Sequence, residues 1–143
     1  MKNQSRKSTG FLGSIGLLLL ISQAISAQSL TLEVQGIEKV KGNLRVGIFN
    51  SKETFMKKPL AGFGVPVKDK VMIIPCKGLP AGSYAISMFQ DENSDGVLNT
   101  ESYGRPIEKY GFSNDATGVM GPPSYEKCCF TFAKDTTLVV HLK

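Results

Sequence analysis

The residues best suited to chemistry lie between Gln90 and Asn114, in the stretch QDENSDGVLNTESYGRPIEKYGFSN. Its first part places oxygen-bearing side chains at Asp91, Asn93, Asp95 and Asn99, with the Val97 carbonyl between them and Gly96 at the bend. Alternate oxygens around a tight loop suit a hard cation, and calcium takes about six to eight of them. Where a complete calcium loop carries its chelating glutamate this chain has Ser102, so Glu101 and Glu108 are the acids able to close the site. Two other readings stand beside calcium. Asp, Asn, Ser and Gly also build plain turns, because their side chains bond nearby backbone and they accept positive φ. Asp91 or Asp95 with Glu92 or Glu108 would make a hydrolytic carboxylate pair only if held across a cleft, which one loop does not ensure.

The second part of the stretch combines aromatics with glycine and proline. Tyr103, Arg105, Tyr110 and Phe112 are the candidate surface for a glycan or a peptide, since a long connection in a small domain is usually functional or folded back as a lid. The alternative is that Tyr110 and Phe112 plug one end of the fold.

Other reactive side chains are few. There are three cysteines, Cys76, Cys128 and Cys129, and an odd number leaves at least one unpaired. Cys76 with Cys128 or Cys129 would close a loop of about 53 residues, for roughly 4 kcal/mol in the chain-entropy picture. Three reduced thiols is the other outcome. Adjacent cysteines have neither zinc spacing nor the redox Cys-x-x-Cys spacing. The single histidine, His141, falls on the outer face of the last strand, with no serine or cysteine nucleophile evident beside it.

The elements that must hold these residues are short strands. Leu30, Leu32 and Val34 alternate with polar residues, as do Leu44, Val46 and Ile48, and Lys41-Gly42-Asn43 between them predicts a hairpin. A helical turn over Lys52 to Met56 ends before Pro59. Val65 to Val67 and Val71 to Pro75 are predicted strands. Tyr84, Ile86 and Met88 share one face of the next strand, Cys128, Phe130 and Phe132 one face of a strand over Lys127 to Phe132, and Leu138, Val140 and Leu142 one face of the last. About seven strands, frequent turns and no long helix predict an all-β protein, an antiparallel β-sandwich of transthyretin-like or immunoglobulin-like type.

Residues 1–27 read as an address. Lys2, Arg6 and Lys7 precede the apolar run Phe11 to Ile21, and Ala24, Ser26 and Ala27 offer cleavage after 26 or 27, the second being preferred. The run is broken by Gly13, Ser14 and Gly16 and is too short for a retained anchor. Cleavage would leave one 116-residue domain, 28–143, with 14 basic and 12 acidic residues and a formal charge of +2 against +5 for the precursor. So balanced a chain gives no electrostatic case for nucleic acid, and no later segment could span a membrane. The expected location is periplasmic or extracellular.

The segment GLPAGSYAI, Gly78 to Ile86, resembles the turn that enters an interior strand in transthyretin-like and collagen-adhesin B-type sandwiches. Together with Asp91-Glu92-Asn93, Gly96, Leu98, Gly104, Pro106, Glu108 and Tyr110-Gly111-Phe112-Ser113-Asn114, it resembles the bacterial exported family named for domain of unknown function 2141. The resemblance runs from the Leu30 strand to the last strand and is closest over 79–114, with Pro123 and Phe130 compatible beyond. That family usually has histidine where this chain has Gln90, and aspartate where it has Asn99, so no histidine base operates there and the ninth-position oxygen is an amide. The resemblance implies export, a β-sandwich and no assigned catalysis. The combined expectation is a non-enzymatic binding or accessory module of the cell envelope, meeting an envelope protein or surface carbohydrate, with calcium as the one candidate cofactor. A small hydrolase or a purely structural domain is the alternative.

Overall fold

The structure, a computed structural model, describes residues 28–143; the signal peptide expected over 1–27 lies outside the described residues. Eight strands form two facing sheets. The first sheet has β4 (Met72–Cys76), β1 (Leu30–Gln35) and β8 (Thr136–His141) in that order. The second has β3 (Ala61–Pro66), β2 (Asn43–Phe49), β5 (Gly82–Asp91) and β6 (Tyr110–Phe112), with β7 (Phe130–Phe132) also on β5. All pairs are antiparallel except β1 with β8. This is the expected all-β sandwich.

Period-two alternation makes the core. Leu30, Leu32 and Val34 of β1, Leu44, Val46 and Ile48 of β2, Tyr84, Ile86 and Met88 of β5 and Val140 of β8 are buried together between the sheets. Truncating one of these, Ile86 for example, would remove about 2–5 kcal/mol through lost transfer energy and the cavity left behind. The Tyr84 hydroxyl donates to Pro80 O at 2.9 Å, which ties the Pro-x-Gly turn to the strand it starts. At one edge the sheets are joined: Tyr110 N–H donates to Lys143 O and Lys143 N–H to Tyr110 O, at 3.3 and 2.9 Å. Gly111 permits that approach, because a Cβ there would lie 2.9 Å from Val140 Cγ1.

Two sequence expectations are corrected. The first two strands form no hairpin: β1 pairs with β4 and β8, whereas β2 pairs with β3 and β5. The connection through Lys41-Gly42-Asn43 crosses from one sheet to the other, and Gly42, at φ 68°, is pressed against Asp91 O and Glu92 Cα, where no side chain fits. The strand expected over Lys127 to Phe132 is instead a short helix, α1 (Tyr125–Cys128), followed by β7.

β6 and β7 occupy successive stretches of the same edge of β5, separated by the excursion 113–129. Ser113 bridges the gap, its hydroxyl accepting Ile86 N–H at 2.9 Å and donating to Cys128 O at 2.6 Å. The Asn114 amide donates to Lys127 O and Cys129 O and draws the two ends of the excursion together. The excursion and the turn before β3 cover half of the outer face of the second sheet. There Phe49, Phe55, Ala85, Phe112 and Cys128 form a second buried cluster, with Phe49 and Phe55 edge to face at 5.2 Å.

Candidate binding trough and the loop that braces it

The other half of that outer face is bare. Register puts Gly62, Gly47 and Ser87 in one row across β3, β2 and β5, and Gly64, Arg45 and Phe89 in the next. With glycine at three of these six outward positions the floor is largely backbone, and the result is an open trough of about 550 Å³. The second cluster ends it on one side, where the Phe49 ring leans on Gly47. On the other side lies the loop that follows Asp91.

Asp91 ends β5 with its side chain fully buried. Its Oδ1 accepts Asp95 N–H at 3.1 Å, and its Oδ2 accepts Gly96 N–H at 2.9 Å and Arg45 Nε–H at 3.0 Å. A carboxylate this buried is tolerable only because each oxygen is bonded and a cation sits beside it. Arg45 is thereby aimed. Its Nη1 lies against Gly64 and its Nη2 near Gly96, so the guanidinium rests across the end of the trough, and its Nη groups make no hydrogen bond among the described residues.

Glu108 is the second brace. It is buried, and its Oε1 accepts Glu92 N–H at 2.9 Å while its Oε2 accepts Asn99 N–H at 3.0 Å, so one carboxylate clasps both ends of the loop. Asp95 organises the tip: Oδ1 accepts Val97 N–H, and Oδ2 accepts the amides of Asn93 and Asn99 at 2.9 and 3.0 Å. The hydrogen bond from Val97 N–H, followed by those from Asn99 and Asn93, holds the Asp95 carboxyl below its ordinary range. Lys41, helped by Lys39, does the same for Glu92.

The residues expected to bind calcium are therefore together, but with their oxygens engaged. Asp91, Asn93, Asp95, Asn99 and Glu108 accept donors of the chain itself, the Val97 carbonyl accepts none among the described residues, and Glu101 stands apart in a tight turn, where Glu101 N–H meets Arg105 O. Among the described residues no group of three or more His, Cys, Asp or Glu converges on a metal position.

The four expected ligand residues are separated. Tyr103, 97% exposed, and Arg105 are on the small projection closed by the Thr100 to Pro106 bridge. Tyr110 and Phe112 are on β6, and register places them beside Phe89 and Ser87 along the trough face. Phe112 is buried in the second cluster and Tyr110 packs against it edge to face at 6.1 Å, so the pair belongs to the cover on the outer face of the second sheet and not to a plug at one end of the fold.

Of the two outcomes left open for the cysteines, the structure has the reduced one: Cys76, Cys128 and Cys129 are all free thiols. Cys76 packs in the core between the sheets and Cys128 in the cluster on the outer side of the second sheet, so the sheet itself keeps them apart. Burial pushes both thiols up to about 11, with Cys129 adding to the effect at Cys128.

The trough residues Arg45, Ser87 and Phe89 were not among the candidates read from the sequence. Their signal was there in outline, as glycines at outward positions of adjacent strands, Gly47 on one and Gly62 with Gly64 on the next. No curated protein and no solved structure was found to match the chain. A family profile does match, over residues 32–139, which spans the sandwich from β1 to β8. The chain accordingly belongs to the family described as uncharacterised proteins conserved in bacteria, DUF2141.

Proposed function

We propose that the protein is an exported, non-enzymatic binding module of the bacterial envelope, and that it seats an acidic surface carbohydrate in the trough. The observation that carries the proposal is the placement of Arg45 at the end of a glycine-floored trough lined by Ser87 and Phe89. Arginine presents a planar fork that matches a carboxylate. With its Nε edge committed to Asp91, the Nη groups are available to a sugar acid. The Phe89 ring offers an apolar face to a sugar ring, Ser87 a hydroxyl for orientation, and the missing side chains at Gly47, Gly62 and Gly64 leave room for a chain of rings. No acidic residue lines the trough. The engagement of Asp91 and Glu108 with backbone N–H groups favours this reading over a hydrolase built on loop carboxylates.

Calcium enters as the competing account of the loop. An ion on Asp91, Asn93, Asp95, Val97 and Asn99 would have to share the Asp91 carboxylate with the Arg45 guanidinium, a like charge on Oδ2, so bracing and ion binding oppose each other.

Gly62→Val tests the proposal. A Cβ at Gly62 meets only Pro59 Cγ at 3.6 Å and Val46 O at 3.8 Å, which are ordinary contacts, so the variant fills the trough without disturbing the strand. Calorimetry with acidic oligosaccharides such as oligogalacturonates, and neutral ones as controls, is expected to show binding of the acidic set to the parent, loss of binding in Gly62→Val and Phe89→Ala, and an unchanged melting temperature in Gly62→Val. Undiminished binding by Gly62→Val would overturn the trough. A protein partner adding a strand along the open edge of β3 would survive that substitution, and its capture with no carbohydrate binding would overturn the choice of ligand.

A further inference from the structure

A separate, smaller pocket of about 150 Å³ lies where the excursion 113–129 meets β8, lined by Tyr110, Asp115, Thr117, Gly118, His141 and Lys143 among others. One aspartate holds the only histidine of the chain twice: Asp115 Oδ1 accepts His141 N–H at 2.9 Å, and Asp115 Oδ2 contacts His141 Nδ1 at 2.7 Å. Burial alone would push the Asp115 carboxyl up, but the two bonds from His141 outweigh it and hold the group below its ordinary range. Asp115 is therefore an ionised acceptor, and the proton it meets is on Nδ1. In the neutral ring that leaves Nε2 as a bare acceptor, and Nε2 makes no hydrogen bond among the described residues. Lys143 Nζ, 3.4 Å from Asp115 O, supplies a positive donor at the same pocket.

The local backbone is unusual there. Asn114 and Asp115 are consecutive non-glycine residues at positive φ, 60° and 49°. Such conformations cost about 1–3 kcal/mol each and concentrate at functional sites. Among the described residues, no backbone N–H of 117–121 is given to an acceptor of the chain, and Thr117, Gly118 and Gly121 line the pocket. Unspent N–H groups beside a lysine favour an anion.

We propose that this pocket binds a small oxyanion that also carries an O–H group, either free hydrogen phosphate or an α-hydroxycarboxylate. Lys143 and the N–H groups of Thr117, Gly118 and Gly121 take the charged oxygens, and His141 Nε2 accepts the O–H. The pocket has about five times the volume of one liquid water, enough for a group of this size. The titratable groups facing the ring are Asp115, Lys143 and Tyr110. Because Nε2 is an acceptor while the ring is neutral, the site discriminates: sulfate has no proton to offer it. Once the ring is protonated both nitrogens donate, and the discrimination disappears.

With a single histidine, one ring signal in a proton–carbon correlation spectrum reports the site. The purified protein is titrated at constant ionic strength with phosphate, lactate and sulfate at several pH values, the ring's own carbon shifts reporting whether it is neutral or charged at each. Saturable shifts with phosphate or lactate but not sulfate while the ring is neutral, and with sulfate as well once it is charged, are expected; which of the two binds identifies the source of the group. Lys143→Ala should weaken binding about tenfold, the loss of one charge-assisted contact. Asp115→Asn keeps an acceptor for His141 N–H but can donate to Nδ1, which moves the ring proton to Nε2 and is expected to abolish the preference over sulfate. Equal shifts by phosphate and sulfate while the ring is neutral, or none by any of the three, would overturn the proposal.

Discussion

Arg45 Nε donates to Asp91 Oδ2 at 3.0 Å, and the two partners differ in what surrounds them: the Asp91 side chain is fully buried, whereas that of Arg45 is 39% exposed. The pair is therefore asymmetric. Loss of the aspartate leaves a cation that can turn to water, while loss of the arginine leaves an anion that cannot.

Arg45→Met, which preserves most of the packing, is expected to cost about 3–5 kcal/mol, the range for stranding one member of a buried pair. Asp91→Asn keeps one acceptor oxygen and should cost less, about 2 kcal/mol, mainly for a backbone N–H left unsatisfied. The double variant should cost less than the two together, since each single change already breaks the same bond. Urea denaturation of the four proteins measures all three; an Asp91→Asn loss larger than that of Arg45→Met would contradict the burial argument.

Calcium distinguishes the two accounts of the loop. With Arg45 and the loop's own N–H groups on the acids, ~1 mM calcium should move the melting temperature by less than about 1 °C, because a ligand far below its dissociation constant adds almost nothing to stability. Arg45→Met should respond more strongly, as Asp91 is then free of its cation. A rise of several degrees in the parent that is lost in Asp91→Ala would establish the loop as an ion site.

The thiols should behave according to their surroundings. Intact mass under native conditions is expected to show no disulfide, with slow alkylation confined to the half-buried Cys129. Cys76 and Cys128, raised to about 11 by burial, should react only after unfolding. A native bridge between Cys76 and either of the others would contradict their placement on opposite sides of the second sheet.

What could be read in advance was what depends on near neighbours. Alternation identified the inward residues of β1, β2, β5 and β8, because a strand's two faces differ at every second position whatever it pairs with. Pairing itself was not readable: Gly42 marks a positive-φ bend equally well in a hairpin and in a crossing between sheets. Cys128 was placed on one face with Phe130 and Phe132 through a strand that begins only at Phe130; one helical turn delivers it to a different cluster. At Asp91 to Asn99 the residue types announced an oxygen-rich turn, but not that Arg45, 46 positions earlier, would face Asp91. Nor could the outward position of His141 disclose Asp115, which a separate excursion brings back to it.

The one parallel pair has a mechanical meaning. β1 and β8 run side by side in the same direction over six residue pairs, so the beginning of one and the end of the other lie at opposite ends of the ladder. A pull applied between residues 28 and 143 stretches that ladder lengthwise and loads its hydrogen bonds in shear, all together, instead of unzipping them one after another. Forced unfolding is governed by the unfolding barrier rather than by equilibrium stability. On that basis the sandwich should hold under tension along its chain better than its size implies, and should yield far more easily when pulled across the β3 edge.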